Sequence, residues 1–322
     1  MTGKRVALVL GSGGARGYTH IGVIDELIAR GYQIDCIAGC SMGALIGGIY
    51  AAGKLDDYRK WAESLDYLDV LRLLDLGSRL GAMRGEKVFG RIREMLGEVA
   101  IEDLPIAYTA VATDLTNQQE IWFQEGCLHQ AMRASAAIPS LFTPVQQGAR
   151  MLVDGGLLNP LPIVPVVSSH CDLIIAVNLN AARNPGYQLP AVERPPQLKE
   201  RFEQLRQSLS ARLPFREKEE KTPRTATLPV PNKASTSTGS FAPTSLLELV
   251  GQSFEVMQNS LAQFKVAGYP PDLLINVPRN ICRFFEFHKA PEIIRLGRQI
   301  ARDSLDNFEH GISLCGHEQP AK

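Results

Sequence analysis

Neither sign of charge is in excess in this 322-residue sequence: 34 basic residues stand against 34 acidic ones. A chain so balanced carries no broad electropositive field, which removes the simplest electrostatic case for a nucleic-acid partner and for standing attachment to an anionic membrane. Long apolar runs are missing too. None approaches the ~20 residues that a membrane-spanning helix requires. The first apolar stretch, Val6 to Leu10, is too short for the hydrophobic region of a secretory leader and runs straight into glycines. The chain is therefore read as cytoplasmic. Cysteine and histidine are scarce, six of each. Cys36 and Cys40 stand four apart, and Cys127, Cys171, Cys282 and Cys315 are scattered, so there is neither a CxxC pair nor an HExxH pattern. These are read as buried free thiols. No metal and no cofactor are expected.

What is present is a hydrophobic content of 45% with 21% charge, the balance of a mostly globular chain. From Arg5 to about Leu179, apolar strand-like runs ("VALVL", "CIAG", "IAYTAVATDL", "LIIAVNL") alternate with helical patterns. That alternation predicts an α/β fold with a mainly parallel central sheet and helices on its faces. Three regions follow: a core over residues 1–180, an insertion rich in Pro, Ser and Thr over 181–243, and a return to helices and a strand over 244–322. Inside the insertion, Leu198, Phe202, Leu205, Leu209 and Leu213 recur at helical spacing between charges. Such a helix packs on its own domain, on a protein partner or on a membrane surface, and the first is favoured. In the tail, "SLLELVGQSFEVMQNSLAQFKVAG" reads as a long helix ending at Gly268, and "DLLINV" as a strand joining the same sheet.

The chemistry is carried by three short stretches. The first, "VALVLGSGGARGYTHIGVIDEL", places Gly13, Gly14, Ala15, Arg16 and Gly17 at a strand-to-helix turn. There backbone N–H groups and a helix dipole converge on one point that suits an anion. The second, "IAGCSMGALIGG", sets Ser41 in a GxSxG arrangement between a strand and a helix. A serine at so sharp a turn is forced outward, and Gly39 and Gly43 remove side chains that would collide across it; Ser41 reads as a nucleophile. The third, "RMLVDGGLLNPLP", ends an apolar run on Asp154 and follows it with Gly155 and Gly156. From the residues alone Asp154 is equally a base for Ser41 or the cap of a turn. His20, just inside the first helix, reads as a packed core residue. Arg16 either meets a phosphate or pins the loop through a salt bridge, with the second favoured.

In this order the G13-G14-A15-R16-G17 loop, G39-C40-S41-M42-G43 and D154-G155-G156 resemble the patatin-like phospholipase family, in particular its small bacterial cytoplasmic members. "RASAAIPSLFTPV" from Arg133 and "NPLP" from Asn159 extend the match. The likeness covers about Arg5 to Asn178 well and the tail only loosely. It implies a three-layer α/β/α fold and a Ser-Asp dyad that hydrolyses lipid acyl esters, with Ser41 as nucleophile, Asp154 as base and the glycine loop as oxyanion hole. A lipid or acyl-ester substrate is then the expected partner, with transient membrane-surface contact. The main departure is the 181–243 insertion, which could be a lid, a membrane-docking element or a tether for a protein partner. Gly156, where plant members carry Ala, is a second and smaller one. An acyltransferase sharing the acyl-serine step and a regulatory scaffold on the same fold stay open. A dinucleotide-binding site does not fit: G11-S-G13-G-A-R16 lacks the third glycine in register, and Gly39 and Cys40 end the second strand where an acid belongs.

Overall fold

The computed structural model describes residues 3–73, 85–139, 142–190 and 246–315. Two compact units divide the chain: Met1–Val192 with Val250–Lys322, and Glu193–Leu249. The second, with most of the 181–243 insertion and its expected amphipathic helix, lies almost entirely outside the described residues.

In the first unit, the continuous apolar run near the start becomes β1 (Arg5–Leu10), buried along all but its first residue. Such a run suits a strand covered on both faces. The elements then alternate as α1 (Thr19–Ala29), β2 (Gln33–Cys40), α2 (Met42–Ala51), α3 (Leu55–Ser64), α4 (Tyr67–Leu73), α5 (Glu86–Leu96), β3 (Ala107–Asp114), β4 (Gln119–Phe123), α6 (Leu128–Ser135), β5 (Val145–Gln147), β6 (Arg150–Asp154), β7 (Leu173–Ala181), α7 (Leu246–Gly268), β8 (Leu273–Pro278) and α8 (Ala290–Cys315). They build an eight-stranded sheet in the order β5-β6-β3-β2-β1-β7-β8, with β4 also on β3. The run β3-β2-β1-β7-β8 is parallel, while β4, β5 and β6 pair antiparallel. The fold is a three-layer α/β/α arrangement around a mainly parallel sheet. Its last parallel strand, β8, comes from the tail.

Alternation along β1 sorts the core into its two sides. Val6, Leu8 and Leu10 enter a large cluster with residues of α1, α2 and α8, among them Ile24, Ile46 and Ile294. Ala7 and Val9 turn to the opposite face, against Leu161, Ile163, Val166 and Ala262 of α7. A buried carboxylate fastens α1 to α8: Glu26 receives Arg298, Arg302 and Arg30.

Candidate active site

β3 brings the second and third stretches together. Its Val111 pairs with Cys40, the last residue of β2, and its Ala112 pairs with Asp154, the last residue of β6. Ser41 and Asp154, 113 positions apart in the chain, thus emerge beside the same two residues of one strand. Both are buried.

Ser41 stands at the start of α2 with φ 56° and ψ −123°, one of two described non-glycine residues at positive φ. A conformation of that kind costs on the order of 1–3 kcal/mol and persists only where the surroundings impose it. Glycines impose it here. A Cβ on Gly39 would come within 2.5 Å of the Ala44 backbone nitrogen, and one on Gly43 would overlap the Leu10 carbonyl oxygen. The elbow is held from below by Ser135, whose hydroxyl accepts the Ser41 N–H at 3.0 Å and donates to the Val111 carbonyl at 2.6 Å.

The Asp154 carboxylate is held by its own turn. Oδ1 accepts the Gly156 N–H at 2.7 Å and, at longer range, the Cys40 thiol at 3.9 Å. Oδ2 is buried without a hydrogen-bond partner among the described residues. Burial pushes the carboxyl up to about 7; the Ser41 hydroxyl, the Gly156 N–H and the Cys40 thiol oppose that rise without cancelling it. Ser41 therefore lies near enough to favour the anion while leaving Oδ2 without a well-formed hydrogen bond.

The glycine loop adopts a 3-10 helix from Gly14 to Tyr18, entered through Gly13. Among the described residues no protein group accepts from the Gly13 or Gly14 amide. Ala15 departs from the expected donor set: its N–H is spent on the Phe284 carbonyl at 2.9 Å, because the loop packs against the segment after β8. Arg16 and Gly17 lie further along the 3-10 helix, where amides turn back onto carbonyls three residues earlier. Of the five loop residues, Gly13 and Gly14 are those whose amides keep no protein acceptor among the described residues. Arg16 takes the pinning role, its buried guanidinium reaching Asn180 Oδ1 at 3.1 Å and Glu255 of α7 at 2.9 Å. His20 is fully buried; its Nε2 hydrogen-bonds the Gly11 carbonyl at 2.9 Å, and burial lowers it to about 4, so it is a neutral donor that shapes the loop.

Four supporting residues carry no motif of their own: Ser12, Ser135, Asn180 and Gln258. Asn180 Nδ2 donates to the Ser12 carbonyl, and Gln258 Nε2 to the Ser12 hydroxyl, each at 3.0 Å. Ser135 stood inside the quoted "RASAAIPS" run, whereas Gln258 comes from the loosely matched tail.

The patatin-like phospholipase family model matches residues 8–167, a span holding the glycine loop, Ser41 and Asp154. An uncharacterised NTE family protein of Mycobacterium bovis is 41% identical to the chain, over 95% of this chain and 92% of its own length. The chain belongs to the patatin-like phospholipase family. Lysophospholipase NTE1 of Saccharomyces cerevisiae shares 32% identity over 56% of this chain and 11% of the yeast protein, and a second mycobacterial NTE family protein, from Mycobacterium tuberculosis, shares 34% over 63% and 35%. Membership in this family makes lipid hydrolysis the supported class of activity and a lipid the supported class of substrate. Among the described residues no helix is long and apolar enough to cross a membrane.

Proposed function

We propose that this patatin-like chain is a carboxylic ester hydrolase of the phospholipase or lysophospholipase type, with Ser41 as nucleophile and Asp154 as base. The observation that carries the reading is the meeting of a strained, buried Ser41 with a buried carboxylate whose Oδ2 has no hydrogen-bond partner among the described residues. In the acylation step Ser41 Oγ attacks the ester carbonyl carbon as its proton passes to Asp154. The carbonyl electron pair moves onto oxygen, where the Gly13 and Gly14 amides stabilise it. Collapse expels the alcohol, which takes the proton from Asp154. Water then attacks the acyl-Ser41 ester, giving its proton to Asp154, and the acid leaves as Ser41 recovers that proton.

An ordinary aspartate is too weak a base for a serine hydroxyl, and burial addresses this directly. A carboxylate near 7 holds a proton far more tightly than an ordinary aspartate does, while remaining substantially ionised at neutral pH. The lowered solvent polarity that raises it also strengthens the amide contacts to a developing oxyanion.

The test is labelling of the full chain with a fluorophosphonate, beside Ser41→Ala and Asp154→Asn, followed by release of fatty acid from lysophospholipid and diacyl phospholipid. The expected result is label on Ser41 in wild type alone and fatty-acid release lost in both variants. Full fatty-acid release by folded Asp154→Asn would sink the dyad.

A further inference from the structure

Asp154 is followed by two glycines, and the second of them has a counterpart in the tail. A Cβ on Gly156 would overlap Nε2 of Gln258, a fully buried residue of α7. The side-chain amide therefore occupies the space that a methyl group at 156 would need. From that place Gln258 Nε2 donates to Ser12 Oγ at 3.0 Å, while its Oε1 is buried without a partner among the described residues.

Ser12 and Gly156 belong to the two halves of the proposed machinery. Ser12 immediately precedes the Gly13 and Gly14 amides and is fixed by its own N–H to the Pro160 carbonyl at 2.8 Å. Gly156 supplies the N–H that holds Asp154 Oδ1 at 2.7 Å. One turn earlier on α7, Glu255 grips Arg16 of the same loop. Residues three apart share a helix face, so α7 presents both side chains to the glycine loop together.

Building on the dyad reading above, we propose that Gln258 is a positioning residue that sets the spacing between the glycine loop and the Asp154 turn. It touches neither substrate nor the reacting atoms; it acts through Ser12 and Gly156. Removal of the amide frees the turn to relax, lengthens the Gly156 N–H contact to Asp154 and moves the Gly13 and Gly14 donors off the oxyanion. The titratable group nearest this contact is Asp154, whose Oδ1 lies with Gln258 Nε2 and Ser12 Oγ around Gly156; beyond it stand Cys40 at the end of β2, against Asp154, and the Arg16–Glu255 pair between the loop and α7. None takes over the contact to Ser12 among the described residues.

The experiment measures the rate of fluorophosphonate labelling at Ser41 against pH in the full chain, for wild type, Ser41→Ala, Gln258→Ala and the near-isosteric Gln258→Glu, with melting temperatures in parallel. A displacement of this order is expected to slow Gln258→Ala roughly tenfold or more. Loss of the Gly156 contact in that variant, and the added negative charge in Gln258→Glu, should each raise the pH midpoint of labelling. Wild-type rates and midpoints in both variants would overturn the proposal. Slower labelling that merely follows a fall in melting temperature, with the midpoint unmoved, would overturn it as well, leaving Gln258 a packing residue. Absence of label on wild-type Ser41 would instead overturn the nucleophile reading, and the role of Gln258 would fall with it.

Discussion

The hydroxyl of Ser135 accepts the backbone N–H of Ser41 at 3.0 Å and donates its own hydrogen bond to the Val111 carbonyl of β3 at 2.6 Å. One buried side chain thus ties the strained elbow to β3, the strand whose Ala112 pairs with Asp154 at the end of β6. Replacement by Ala leaves a buried N–H and a buried carbonyl without that partner. Ser135→Ala is expected to lose roughly 2–4 kcal/mol on that count. Under the proposed mechanism, ester hydrolysis should fall further than the loss of folded protein explains. Urea unfolding and turnover on the same preparation would separate the two effects.

Asp154 makes stability depend on pH in a definite direction. Burial raises its carboxyl to about 7 in the folded chain, from about 3.8 for an ordinary aspartate. Between about 4 and 7 the unfolded chain has released this proton and the folded chain keeps it, so this group's contribution to stability falls as pH rises and is flat above the window. At 1.36 kcal/mol per unit the span reaches roughly 4 kcal/mol. Asp154→Asn removes the penalty, so the variant should gain on wild type from pH 4 to 7 and hold a constant lead above. Denaturant midpoints at pH 4, 5.5 and 7.5 check the sign. Under the proposed mechanism, hydrolysis rises with pH to a plateau, with its midpoint near 7.

Glycines of one chain should respond oppositely to the same methyl group. At Gly43 a Cβ meets the Leu10 carbonyl oxygen, so Gly43→Ala is expected to cost about 3 kcal/mol or more through backbone displacement at the elbow. At Gly90, within α5, nothing lies within 4 Å of an added Cβ. Gly90→Ala should stabilise by up to about 1 kcal/mol through helix propensity. Thermal melts of the two variants give the comparison; a Gly43→Ala protein as stable as wild type would contradict the geometry.

Arg16 is nearly inaccessible, with 2% of its side chain exposed, whereas its partner Glu255 is 26% exposed. Truncating the arginine strands a carboxylate and the Asn180 oxygen beneath the glycine loop. Arg16→Met should cost about 3 kcal/mol, and the double variant Arg16→Met with Glu255→Met should recover most of it, because the unpaired charge is then gone. A double-mutant cycle on denaturant midpoints measures the coupling. Additive losses would mean that the pair contributes nothing as a pair.

Local order was legible in the chain itself. Continuous apolar runs between glycine turns are sufficient for buried parallel strands, and β1, β2, β3 and β7 lie where those runs stand. GxSxG between a strand and a helix likewise locates the turn at Ser41, because its two glycines are the residues that the backbone crossing tolerates. Tertiary structure alone decided what depends on distant partners. That Ser41 and Asp154 come to lie beside the same strand rested on β3 pairing with both β2 and β6. Which loop amides remain available rested on Phe284, more than 260 residues further along, accepting from Ala15. The raised affinity of Asp154 for its proton, the pinning of Arg16 by Glu255 and the seat of Gln258 in the space left by Gly156 follow the same logic. Each comes from burial or contact between segments that carry no sign of one another, since spacing along a chain encodes a turn or a helix face but not the partner that closes over it.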